Sequence, residues 1–455
     1  MIPPGRRRQP FVSFPFASTT IREQWFRAGR GRARFGETAV SRRGDRPMRL
    51  RGDDVRATVL FVFLLVYAAM VLGRLPGLAL DRAGAALLGA IVLVAGGTMT
   101  VADAWGAADV PTLALLFGLM VVSAQLRLGG FYTAVSRSLI AATTSPAGLL
   151  ARIMAASAVL SALLANDIVC LAMTPILVEA TLARGLNPVP YLIGLALSAN
   201  IGSAATLIGN PQNMLIGQVA HLSFAGYLQT ALPCVVVSLA LAWAGTVWGF
   251  RGRFAGPVAT LAVPAPVFCR WQSGKGLVAL ALCVGAFLWG SFPRENIALA
   301  CAGALLLSRR MASRETLALV DWQLLLLFLG LFVVNREVAA VGLLDDLYAG
   351  LQVVGIDLSR PGWLYAVTAA LSNVVSNVPA VMLLLPGHAS PPQATVLAIS
   401  STLAGNLILP GSIANLIVAD QARGLGVRMG FVDHARVGVP VTLATLAVSG
   451  WWLAH

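Results

Sequence analysis

Lysine is all but missing from this chain. Of its 33 basic residues only Lys275 is a lysine, so a formal net charge of +14 rests on arginine. Charge of either sign is scarce, at 11% of 455 residues, where a soluble domain carries roughly 25%. The basic surplus forms no recognisable nucleic-acid-binding face. Fourteen arginines precede residue 57, in a stretch rich in Gly and Pro, and most others fall in short loops between apolar runs. That is where the positive-inside rule puts them, and no nucleic-acid partner is expected. Residues 1–55 read as an Arg-rich disordered tail, with Met48 as an alternative start; an arm for anionic lipid or RNA is the competing reading. The cysteines (Cys170, Cys234, Cys269, Cys283, Cys301) and histidines (His221, His388, His434, His455) show no metal-ligand spacing, which excludes a zinc motif or a disulfide framework. No paired carboxylates stand out at one depth either, so no catalytic residue, cofactor or enzymatic activity is expected.

Apolar sequence is what the chain has. Hydrophobic residues make up 57% and the mean hydropathy is +0.79. A bilayer core about 30 Å thick needs about 20 apolar residues per helical span. Residues 57–72, 83–101, 111–126, 227–248, 276–292 and 437–453 are such stretches. The expectation is an all-α, multi-pass protein of a bacterial inner membrane with about 10–12 transmembrane helices.

An internal repeat organises these spans. Asp109, Phe117-Gly118-Leu119-Met120-Val121-Val122-Ser123 and Gly130 recur as Asp321, Leu329-Gly330-Leu331-Phe332-Val333-Val334-Asn335 and Gly342, all at one offset. Ala165-Asn166-Asp167 then matches Ser376-Asn377-Val378, and Gly209-Asn210-Pro211-Gln212-Asn213 matches Gly411-Ser412-Ile413-Ala414-Asn415. Phe224 and Pro233 match Phe431 and Pro440. Ordered polar anchors divide the chain into a first transmembrane repeat over 56–250, a linker over 251–275 and a second repeat over 276–455. If the Asn-bearing segments are re-entrant hairpins, each half crosses an odd number of times and the halves are inverted, the plan of many secondary transporters. The second hairpin, over 363–386, is also long enough for one full span, which would undo that parity. One set of alternate loops holds most of the arginines, and the other only Arg294, Arg336 and Arg360 among several acids. The linker is therefore expected in the cytoplasm, although the same count puts the arginine-rich tail outside.

Unwound backbone at membrane depth survives only inside protein or beside a water-filled cavity. The run from Ala199 to Asn213, with Asn200, Gly202, Ser203, Thr206, Gly209, Asn210 and Pro211, is such a break, because glycine and proline both disfavour the helix. Gly405, Asn406, Pro410, Gly411, Ser412 and Asn415 repeat it. Broken helices expose carbonyls for a cation and N-termini for an anion; tight packing through small residues is the bland alternative. Asn166 and Asp167 lie deep in apolar chain, where a carboxylate is an ion ligand or proton carrier, or else caps the following helix. Ser376 and Asn377, with Ser372 and Asn373 nearby, offer neutral oxygens at the opposite tip.

At these residues the chain resembles the ion transporter superfamily of arsenite permeases, NhaD-type sodium–proton antiporters, citrate transporters and divalent anion–sodium symporters. Leu164-Ala165-Asn166-Asp167, Thr174-Pro175, Asn187-Pro188-Val189-Pro190 and Ala199 to Asn213 carry the likeness, which covers roughly residues 57–453. It implies two re-entrant hairpins, two broken helices, a homodimer and elevator-like alternating access. By position, Asn166 and Asn377 become the hairpin-tip asparagines. Gly202, Thr206, Gly209, Asn210 and Asn213 form the first broken-helix loop, and Gly405, Asn406, Gly411, Ser412 and Asn415 the second. Sodium would then lie at Asn166 and Gly209 and at Asn377 and Gly411. Dicarboxylate symporters carry Ser-Asn-Thr at both tips, and this chain does not, so its Ala-Asn-Asp tip looks closer to the arsenite-permease branch. The expected activity is secondary transport of an inorganic or small organic anion, driven by a sodium or proton gradient. Sodium–proton antiport is the alternative, kept open by Asp167.

Overall fold

The computed structural model describes residues 52–455 except 76, 142–144, 260, 262–265, 291 and 310. The tail expected over 1–55, with its alternative start, lies outside the described residues as far as 51; residues 52–55 open the first helix.

Among the described residues two sets of ten α-helices follow one another. The first comprises α1 (Gly52–Leu72), α2 (Arg82–Ala95), α3 (Val101–Ala107), α4 (Val110–Leu128), α5 (Phe131–Ala141), α6 (Pro146–Leu163), α7 (Asn166–Ala183), α8 (Pro188–Ser203), α9 (Pro211–Val219) and α10 (Phe224–Gly249). The second comprises α11 (Arg270–Trp289), α12 (Arg294–Leu306), α13 (Ser313–Leu317), α14 (Trp322–Ala340), α15 (Leu343–Val353), α16 (Pro361–Val375), α17 (Asn377–Leu384), α18 (Pro391–Ala404), α19 (Ile413–Gly424) and α20 (Phe431–Ala454). Each helix has its counterpart ten places on. Among the described residues there is no strand, only two isolated bridges. Eight helices (α1, α4, α6, α7, α10, α11, α14 and α20) are long and apolar enough to cross a membrane. Phe61, Leu64, Trp248 and Leu282 are exposed, as lipid-facing side chains should be. The all-α, multi-pass expectation holds.

The polar anchors of the repeat have identifiable jobs. Asp109 accepts the Thr112 N–H at 2.8 Å and Asp321 the Leu324 N–H at 3.0 Å, so each caps its long helix. Gly118 and Gly330 allow close approach. A Cβ at Gly118 would stand 2.7 Å from the backbone of Ala298, and one at Gly330 2.5 Å from that of Ala86. Ala86 and Ala298 are themselves repeat equivalents, so α4 packs on α12 as α14 packs on α2. Such exchange of partners is what a two-fold relation between the halves requires.

Packing separates two groups of helices. One holds α1, α2 and α14 with α4, α11 and α12. The other holds α6 to α10 with α16 to α20, joined through α6 on α8, α16 on α18, α7 on α19 and α10 on α20. Between the halves the chain folds back on the first repeat, where Phe254 O accepts the Asn187 N–H at 2.9 Å. Helix α11 begins at Arg270, inside the segment read from sequence as linker.

Four interruptions matter for function. The chain breaks at Leu164–Ala165 between α6 and α7, and at Ser376 between α16 and α17. Residues 204–210 separate α8 from α9, and 405–412 separate α18 from α19. The stretch 363–386 is thus no single span; at Ser376 the backbone takes φ 77° and ψ 160°.

Candidate substrate-binding site

All four breaks meet. The first turn of α7 (Asn166, Asp167), the first turn of α9 (Pro211, Gln212), the first turn of α17 (Asn377, Val378) and the start of α19 (Ser412, Ile413) line one cavity, with Ser376 and Leu324. Its volume is about 20 Å³, room for one water-sized occupant. Four helix N-termini therefore point positive ends and free N–H groups at one place.

Behind the cavity a hydrogen-bonded cluster ties the halves together. Asn200 is its hub. Its amide donates to Asn406 Oδ1 at 2.8 Å and Asn415 Oδ1 at 3.1 Å. Its Oδ1 accepts from Asn166 Nδ2 at 3.0 Å and Ser412 Oγ at 3.0 Å. The repeat equivalent of Asn200 is Thr402, which does the same in reverse: its hydroxyl donates to Asn213 Oδ1 at 3.3 Å and accepts from Asn210 Nδ2 at 3.2 Å. Each half thus holds the other half's broken-helix loop.

The residues picked from sequence divide into three groups. Asn166, Asp167, Ser376, Asn377 and Ser412 face the cavity. Asn200, Asn210, Asn213, Asn406 and Asn415 are buried in the cluster, along with Ser203, whose hydroxyl accepts from Asn210 at 3.0 Å. Thr206 donates to Ala162 O and locks the first loop to the end of α6. The glycines serve close approach. A Cβ at Gly202 would lie 2.3 Å from Ala158 Cα, so that residue packs α8 on α6, the bland reading. Gly209 sits where a Cβ would meet Ser203 O at 2.3 Å, and its own carbonyl accepts the Asn166 N–H at 3.1 Å. Gly405 O accepts from Asn415 at 2.9 Å, and Gly411 lies against Asn373 Oδ1. Sequence reasoning left out Thr402, hidden because it differs from Asn200, and Gln212, although it stands in the quoted loop motif.

Electrostatics give the cavity its character. Asp167 makes no capping hydrogen bond, contrary to the reading that it caps α7; the N-cap is Ala165. Its carboxylate is half-buried in the first turn, where the helix dipole favours a negative charge. Asn166 Oδ1 and Asn377 Oδ1 are buried and receive no hydrogen bond, so two neutral acceptors stand at the tips beside one ionisable one.

Ser376 shows strain. Its φ and ψ fall in a region that is essentially glycine's own, at a cost of about 1–3 kcal/mol for other residues. Ser376→Gly is expected to raise thermal stability by about 1 kcal/mol while slowing transport, since the second tip loses both its rigidity and a hydroxyl. Melting and flux measured on one preparation check this.

A family model described as citrate transporter matches residues 62–394. The chain is 29% identical to the silicon efflux transporter LSI3 of Oryza sativa subsp. japonica, over 85% of this chain and 95% of that protein. It is 34% identical to inner membrane protein YbiR of Escherichia coli K12, over 70% of this chain and 82% of that one. The crystal structure of the YdaH transporter of Alcanivorax borkumensis shares the fold, with a TM-score of 0.56 at 17% identity, covering 88% of this chain and 98% of that one.

Proposed function

This chain belongs to the citrate transporter family, and from that premise we propose that it is a secondary transporter of a small inorganic anion, driven by a proton or sodium gradient. The observation that carries the proposal is the meeting of four helix N-termini, two from each half, on one small cavity that also holds a carboxylate. Each N-terminus is worth about half a positive charge, so four outweigh an ionised Asp167 and leave about one unit for an anion. A proton or sodium ion on Asp167 removes the opposing charge and strengthens the pull. Loading of the anion and of the coupling ion then favour each other, which is the thermodynamic basis of symport. The silicon efflux relative supports a small inorganic species over a tricarboxylate. The bacterial inner membrane is the proposed location, in keeping with the name of the Escherichia coli relative, and a homodimer the proposed assembly.

Sodium–proton antiport is the second reading. Asp167 favours it, together with the unpartnered oxygens of Asn166 and Asn377, a donor set suited to a hard cation. Uptake of silicate, arsenite, sulfate and citrate into proteoliposomes, under imposed sodium or proton gradients, separates the readings. The proposal expects gradient-driven flux of an inorganic species, faster than that of citrate. Sodium–proton exchange with no anion flux would transfer the assignment to the antiporter.

A further inference from the structure

The repeat equivalence of the halves extends to two arginines that the site does not use. Arg82 is the first residue of α2 and Arg294 the first residue of α12, separated by the same offset as Asp109 and Asp321. Yet they engage different ends of equivalent helices. Arg294 donates to Gly217 O at 3.1 Å and to Leu222 O, so it grips the C-terminal turn of α9. Beside it Gln218 donates to Glu295 at 3.0 Å. A guanidinium is well placed there, since the last carbonyls of a helix lack intrahelical partners and carry its negative end.

Helix α19 ends in the same turn. Leu222 N–H returns to Gly217 O at 3.2 Å, and Val427 N–H to Ala422 O at 2.9 Å; His221 and Gly426 hold the left-handed position at φ 49° and 80°. Ala422 O and Val427 O are thus the equivalent acceptors. Arg82 is not on them. It donates to Met70 O at 3.1 Å in its own neighbourhood and lines a cavity with Ile413 and Leu416, at the opposite end of α19.

In an inverted-repeat transporter the two end states differ by exchange of the conformations of the halves. We propose that Arg294 and Arg82 are alternating latches: Arg294 holds α9 in the state seen, and in the opposite state it lets go while Arg82 takes the C-terminal turn of α19. Moving Arg82 from beside Ile413 and Leu416 to Ala422 means a slide along α19 of about 10 Å, at 1.5 Å per residue. The latches are unequal by sequence. Where the first has Gln218 paired with Glu295, the second has Arg423, a like charge for Arg82, and Ala83. Where Gly217 leaves room for the guanidinium, Ala422 carries a methyl group; a Cβ at Gly217 would stand 3.2 Å from Arg294 Nη1. The state gripped by Arg294 is therefore the resting one. This inference rests on alternation between two states and not on what is carried.

Amide hydrogen exchange on the full chain in detergent tests it without any substrate. In Arg294→Ala, exchange at 217–222 is expected to quicken about tenfold or more, the loss of charge-assisted hydrogen bonds, while 422–427 becomes slower as Arg82 docks. Arg82→Ala should leave 217–222 at least as protected as in the parent, and Arg294→Lys should recover part of the protection. Gln218→Arg, which imports the second half's repulsion, should mimic Arg294→Ala in a chain with every latch atom present. Faster exchange at 217–222 in Arg294→Ala with no change at 422–427 would make Arg294 a local cap and overturn the proposal. Absence of anion flux would leave the exchange result standing.

Discussion

Asp167→Asn is expected to give a folded, membrane-inserted protein whose flux no longer responds to the driving gradient. The substitution keeps the volume of the side chain and removes the only charge among the cavity-lining residues. Because Asp167 caps nothing and its neighbour Asn166 is held by Asn200, the fold should survive. With the opposing charge gone for good, the anion binds at every pH and sodium concentration. Exchange of anion for anion across the membrane should persist, whereas uphill accumulation should fall to background. Counterflow and gradient-driven uptake, measured on the same proteoliposomes, separate the two. Unaltered accumulation in the variant would remove Asp167 from the coupling step.

Asn200→Ala should act through structure. It deletes four hydrogen bonds that join the first tip, the second broken loop and its own helix. Buried side-chain hydrogen bonds between membrane helices contribute roughly 0.6 kcal/mol each, and stranded partners cost more, so a loss of about 3 kcal/mol is expected. Thr402→Ala removes the partner of Asn213 Oδ1 and of Gln212 Nε2, while Asn210 keeps Ser203 and both tips are left alone, so it should cost less stability and less transport. Thermal unfolding and initial flux rates of the pair measure this order. Equal effects would contradict the assignment of Asn200 as the hub that positions the first tip.

Much of the fold was legible because polar residues in an apolar chain carry most of the information. Asp109 and Asp321 stood out as anchors, and they are helix caps. Gly118 and Gly330 stood out too, and they are the contact points of two equivalent helix pairs. The breaks at Gly209 and Gly411 could be placed for a related reason, since glycine and proline inside a hydrophobic run leave few alternatives. What sequence could not reveal is which polar groups meet. Pairing of Asn200 with Asn415, and of Thr402 with Asn213, crosses between halves and follows from the two-fold arrangement, not from local pattern. Comparison of the repeats by residue identity therefore passed over Thr402. It also read Arg82 and Arg294 only as loop charges, although each opens a helix and one of them grips the end of another. Nor could uniform hydrophobicity say which faces of the spans meet lipid.

The most direct test of the account is a structure of the protein in a lipid nanodisc, bound to whichever anion the flux assay identifies. The account predicts density for that anion between the tips, against the first turns of α7, α9, α17 and α19, with α8 and α9, and α18 and α19, still broken. An anion bound elsewhere, with the four helix N-termini closed on one another and no solvent route to them, would contradict it.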